Sequence, residues 1–149
     1  MANTYTKIYL HVIFSVHGRQ NLIEKKWMDS LHKFICSIVN VKEQKVYAIG
    51  GMPDHIHILL SMKPGMAISG LVRDIKSNSS RWVNDKKLIR GKFQWQEGFA
   101  AFSYGQSQVD NVIAYINNQE EHHRVKTFKE EYIELLKKFQ VEYEAKYVF

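Results

Sequence analysis

A chain of 149 residues that is 45% hydrophobic can bury a core of its own, and residues 1–149 are expected to form one domain. Its single cysteine, Cys36, excludes an internal disulfide framework or a multi-cysteine zinc site and reads as a core thiol among Leu31, Phe34, Ile35 and Ile38. Lysine and arginine number 21 against 15 acidic residues, a formal charge of +6 that suits a polyanionic partner; with no apolar run long enough for a bilayer and no apolar leader, a cytoplasmic location without a membrane partner is expected.

Residues Lys7 to Ser15 alternate, with Ile8, Leu10, Val12 and Phe14 on one face and Tyr9, His11, Ile13 and Ser15 on the other, which predicts a strand. From Glu24 to Asn40 the residues Trp27, Leu31, Phe34, Ile35 and Ile38 recur at helical spacing. Lys45 to Ile49 reads as a second strand ended by Gly50-Gly51. Pro53-Asp54 is turn chemistry, and His55 to Ser61 makes a third strand in hairpin relation to the second. A helix follows from Ala67 to Trp82, with a stripe of Ile68, Leu71, Val72, Ile75 and Trp82. Asn84 to Gln96 reads as a polar, basic loop. Phe99 to Tyr104 is a fourth strand, and helices are expected from Asp110 to about His123 and from Phe128 to Phe139. The order β-α-β-β-α-β plus two helices suits an α+β, ferredoxin-like (RRM-like) fold. It has an antiparallel four-stranded sheet, two helices on one face and additional C-terminal helices; the other face is left for chemistry or for an added helix.

Two features of this order carry chemistry. His55 and His57 lie two apart on a strand and so share a face, opposite Ile56, Ile58 and Leu60, where both imidazoles can bind one divalent ion. Tyr115 and Gln119 lie four apart on a helix, which aims a nucleophilic oxygen and an amide oxygen the same way. Either pair alone is as readily ordinary surface or packing.

Taken together, three runs resemble the single-tyrosine HUH transposases of the smallest bacterial insertion sequences, within the REP-associated-like superfamily. They are Pro53-Asp54-His55-Ile56-His57-Ile58-Leu59-Leu60, the stretch from Gln94 to Ser103, and Tyr115-Ile116-Asn117-Asn118-Gln119-Glu120-Glu121-His122-His123-Arg124. The resemblance spans nearly the full chain. It implies that His55 and His57 are metal ligands, that Gln119 is a third ligand and that Tyr115 is the nucleophile. It also implies a homodimer that binds hairpins at the element's ends, cuts single-stranded DNA beside them and carries the 5′ phosphate on tyrosine. In many members the tyrosine helix serves the partner's metal site. Magnesium or manganese suits a mixed nitrogen and oxygen shell, and zinc stays open. An alternative is a domesticated, non-catalytic relative that binds hairpin DNA.

Further residues are weighed individually. Arg73, Lys76 and Arg81, beside the apolar stripe of their helix, suit phosphate contacts or a solvated face. His11 suits orienting a ligand, touching DNA, or a plain surface position. His122 and His123 read as solvent-facing or phosphate-contacting rather than as ligands, and Trp95 and Phe99 suit stacking on bases, with core packing the expectation for each.

Overall fold

The structure, a computed structural model, describes residues 3–149. Its strands are β1 (Tyr9–Ser15), β2 (Lys45–Met52), β3 (His55–Ser61) and β4 (Ala100–Tyr104). Its helices are α1 (Lys25–Val41), α2 (Ile68–Asp85), α3 (Val109–Asn117), α4 (Gln119–His122) and α5 (Phe128–Lys138). The strands form one sheet in the order β2-β3-β1-β4 with every neighbouring pair antiparallel, the ferredoxin-like arrangement expected from the element order.

Alternation along the strands sorts the side chains into two layers. Val12, Phe14, Ile56, Ile58 and Leu60 meet Trp27, Leu31 and Ile35 of α1 and Leu71, Val72 and Ile75 of α2 in the main core. Trp95 joins this core with its indole N–H donating to Ser79 Oγ (2.9 Å), so it is packing rather than a base-stacking platform.

The opposite face is covered by the added helices. Val109, Val112 and Ile116 of α3 close over Tyr9, Ala48 and Leu59. Phe128, Tyr132 and Leu136 of α5 close over Ile13, Ala100 and Phe102. At roughly 1.5–3 kcal/mol for each large apolar side chain buried, these contacts suffice to hold α5 against the sheet. Between the two apolar clusters, on the same sheet face, lie His11, His55 and His57. The second layer thus encloses a polar seam.

Two boundaries differ from the sequence expectation, each for a steric or backbone reason. β2 does not stop at the glycine pair but runs through it to Met52. A Cβ on Gly51 would lie 2.3 Å from the His55 carbonyl oxygen across the hairpin, and one on Gly50 would lie 2.5 Å from the Ile116 carbonyl oxygen. These glycines admit close backbone approach instead of ending the strand. The helix expected over 110–123 is broken at Asn118 (φ −111°, ψ 30°), which separates α3 from α4 and re-aims the turn that carries Gln119.

Candidate active site

β3 presents His55 and His57 side by side, and their environments fix which ring nitrogen is free. The Pro53-Asp54 hairpin turn places the Asp54 carboxylate 2.6 Å from His55 Nδ1, which therefore donates. His57 Nδ1 lies 2.8 Å from His11 Nε2, one strand over on β1. Both imidazoles thus turn Nε2 toward the seam, and both residues are almost wholly enclosed, 1% and 0% exposed. Burial holds the His57 ring down at about 4, outweighing the nearby Glu131 carboxylate, so it is neutral near pH 7.

The α3–α4 segment supplies the next groups. Gln119 Oε1 sits 3.2 Å from His55 Nε2 and 3.0 Å from His123 Nε2. Its amide nitrogen donates to the Tyr115 carbonyl oxygen (3.3 Å), which sets the orientation of the amide. The ring of Tyr115 stands edge-on to His57 with centroids 5.8 Å apart. All these residues belong to one chain: the structure places Tyr115 and Gln119 against the chain's own histidines.

α5 contributes a group that sequence reasoning missed. Its N-terminus is set by a Thr127/Glu130 capping box and by Phe128, which stacks on the His55 ring at 3.9 Å. One turn on, the buried Glu131 side chain reaches into the seam. Oε1 lies 3.1 Å from His57 Nε2 and 3.3 Å from His123 Nε2, while Oε2 accepts a hydrogen bond from the Tyr115 hydroxyl and lies 3.1 Å from His122 Nε2. Burial alone would push this carboxyl up. Hydrogen bonds from the His123, His57 and Tyr115 side chains outweigh it and hold Glu131 well below the usual range, ionised. Burial opposes the charged form of His123, but Glu131 and the Lys126 carbonyl prevail and raise its pKa. Tyr115 is shifted upward, first by burial and then by the negative charge of Glu131, so its phenol is held protonated.

His123, expected to face solvent or phosphate, is part of this cluster. The spacing Gln119-x-x-x-His123 was the available signal, being one helical turn. Glu131 was marked by lying three residues after Phe128 and four before Leu135, at the margin of the apolar stripe of α5. The ligand atoms of His55, His57, His123 and Glu131 all lie within 4.8 Å of one another, so nitrogen and oxygen donors converge and the residues present fit a divalent ion.

Of the residues considered for DNA contact, His11 is buried (1% exposed) and bonded to His57; it lies behind the site rather than on a surface open to DNA, because its strand face is roofed by the added helices. The Lys76 ammonium is spent on the carbonyl oxygens of Gln96 (2.8 Å), Glu97 (3.3 Å) and Gly98 (2.6 Å), pinning the 86–99 loop to α2; burial pulls it down to about 8. Arg73 and Arg81 are exposed. No helix among the described residues is long and apolar enough to cross a membrane.

Comparison with known proteins agrees with this architecture. The family described as IS200-like transposases matches residues 4–119. The ISDra2 transposase TnpA of Deinococcus radiodurans is 25% identical over 114 residues, covering 73% of this chain and 81% of that protein. The crystal structure of a candidate transposase from Deinococcus radiodurans R1 superposes with a TM-score of 0.65 at 21% identity, covering 80% of this chain and 95% of the other. A REP-associated tyrosine transposase bound to a REP hairpin gives 0.62 at 16% identity, covering 83% and 73%. With the family match extending over most of its length, from β1 to the glutamine beside the paired histidines, the chain belongs to the IS200-like transposases.

Proposed function

We propose that this transposase cuts and rejoins single-stranded DNA through a transient 5′-phosphotyrosine bond on Tyr115, in a reaction that depends on a divalent metal ion. The observation that carries the reading is the convergence of Tyr115 and Gln119 on His55 and His57 within one chain. His55, His57 and Gln119 would hold a divalent ion, which would supply Lewis-acid charge to a phosphodiester. The Tyr115 oxygen attacks phosphorus, the phenolic proton passes to water, a phosphorus–oxygen bond to tyrosine forms and the bond to the DNA 3′ oxygen breaks. The freed 3′ oxygen takes a proton from water. One phosphodiester replaces another, so the step is reversible without an external energy source, and a second 3′ hydroxyl can reclaim the phosphate.

The cleft beside Tyr115 is lined by Gln108, Asn111, His122 and Lys138, a set able to bind a phosphate backbone, and by Lys126, which pairs with Glu134 at its edge. Arg73 and Arg81 supply further contacts to a hairpin at the element's end. A homodimer is part of this proposal, with Tyr115 acting in cis, and sedimentation of the protein with and without hairpin DNA checks that assembly.

The test uses a labelled single strand carrying the hairpin that flanks the gene, incubated with manganese or magnesium and then denatured. A protein–DNA adduct that disappears in Tyr115→Phe and in chelator is expected. Hairpin binding with no adduct in either metal would instead make the chain a non-catalytic hairpin-binding relative.

A further inference from the structure

The chemistry of the donors around the seam goes beyond a His-His-Gln site. Three histidines have their Nδ1 atoms engaged by other groups: His55 by the Asp54 carboxylate (2.6 Å), His57 by His11 Nε2 (2.8 Å) and His123 by the Lys126 carbonyl oxygen (2.8 Å). Two of these partners can only accept, so His55 and His123 carry Nδ1–H; His11 can accept from His57 in the same way. With a cation bound, each ring would then aim an Nε2 lone pair at the same point. The amide oxygen of Gln119 and the carboxylate oxygen of Glu131 aim there too. In the metal-free protein the short contacts to Glu131 need a ring N–H, from His57 or from His123, and a cation at this point would replace those protons and let all five groups act as ligands.

The spacing fits one ion. Neighbouring donors are 3.0 Å (Gln119–His123), 3.1 Å (Glu131–His57), 3.2 Å (Gln119–His55), 3.3 Å (Glu131–His123) and 3.7 Å (Glu131–His55) apart. Metal–ligand bonds of about 2.1 Å put adjacent donors roughly 3.0 Å apart in an octahedron and roughly 3.4 Å apart in a tetrahedron. The hydrogen bonds to the far ring nitrogens are those that fix the tautomer of metal-bound histidines.

We infer that His123 and Glu131 are metal ligands alongside His55, His57 and Gln119, and that this nitrogen-rich centre selects a transition-metal dication over magnesium. The inference rests on the proposed function for the presence of a divalent ion and names its ligands and class. Three imidazoles favour first-row transition ions, whereas magnesium prefers oxygen donors and retains water. Glu131 also links the centre to the nucleophile, since its second oxygen accepts from the Tyr115 hydroxyl. It acts on Tyr115 as a positioning group.

The test requires no DNA, so its outcome is separate from adduct formation. Metal-stripped full-length protein is titrated calorimetrically with Mn2+, Co2+ and Mg2+, and the visible spectrum of the Co2+ form is recorded. Expected are one Mn2+ or Co2+ per chain, Mg2+ weaker by at least about a hundredfold, and Co2+ bands of a nitrogen-bearing site. Glu131→Gln and His123→Asn should each weaken Co2+ by about tenfold or more and shift those bands, a change that loss of a merely structural contact would not produce. Circular dichroism of the metal-free variants establishes folding; should Glu131→Gln fail to fold, His123→Asn carries the test. Wild-type affinity and spectrum in a folded variant, or magnesium binding as tight as manganese, would overturn the inference.

Discussion

At the scale of single residues, Gly50 governs the placement of Tyr115 without touching it. A methyl group there would sit 2.5 Å from the Ile116 carbonyl oxygen and 3.2 Å from its Cγ2, and a backbone carbonyl cannot step aside without moving the last turn of α3. Gly50→Ala is expected to cost about 1–3 kcal/mol of stability, read from urea unfolding, and to reduce adduct formation more than hairpin binding. Buried histidines make a second prediction. Burial holds His57 and His32 at about 4, so both stay neutral in the folded protein while the unfolded chain takes up protons near its ordinary histidine value. The contribution of these two histidines to the stability of the metal-free protein is therefore full above about pH 6.5 and falls as the pH drops toward 4, with a slope of up to about 1.4 kcal/mol per pH unit for each proton. The lowered pKa of Glu131 adds to the loss at the acid end. His32, on α1, lines a cleft with Gly50 and the α3–α4 turn, so His32→Gln should flatten part of this slope in urea midpoints measured from pH 4 to 7.

At the scale of elements, α5 is the part whose packing most directly controls the seam. Thr127→Ala removes the side-chain half of its capping box and should cost about 1 kcal/mol. Leu136→Ala opens the apolar cluster beneath it and should cost about 2–4 kcal/mol. In hydrogen exchange the α5 amides of the Leu136→Ala protein should then open well before those of β1, which lies between β3 and β4; uniform acceleration would mean that α5 does not open separately. The strands and their facing were readable in sequence, because a period of two over Lys7 to Ser15 and His55 to Ser61 leaves one assignment of sides. The role of Tyr115 was reached by resemblance and order rather than by periodicity. The docking of α5 was not readable: an apolar stripe of Tyr132, Leu135, Leu136 and Phe139 declares that a helix packs, not against what. Glu131 and His123 were missed for that reason, since a carboxylate and an imidazole next to a stripe become ligands only through the surface they meet. The break at Asn118 was hidden by an unbroken helical pattern on both sides.

At the scale of the molecule, the charge of +6 is the relevant quantity for a nucleic-acid partner. Each phosphate contact released by salt contributes a slope of about −0.7 to −0.9 in log affinity against log salt concentration. Replacing Arg73 and Arg81 together with alanine should weaken hairpin binding and make that slope shallower with little change in thermal stability, as measured by fluorescence anisotropy across a salt series. Lys76→Ala should behave in the opposite manner. Its ammonium binds three loop carbonyls, so its loss should lower the melting temperature and leave the salt slope nearly intact.

The seam draws on β3, on the α3–α4 turn and on α5, three segments separated along the chain. During synthesis, β1 to β4 and the α1–α2 layer leave the ribosome before residue 131 does. A nascent chain can thus close its main core while the grouping around Tyr115 is still without its carboxylate. Translation itself then sets an order of events in which a stable scaffold precedes a complete donor cluster, whose last member arrives with α5.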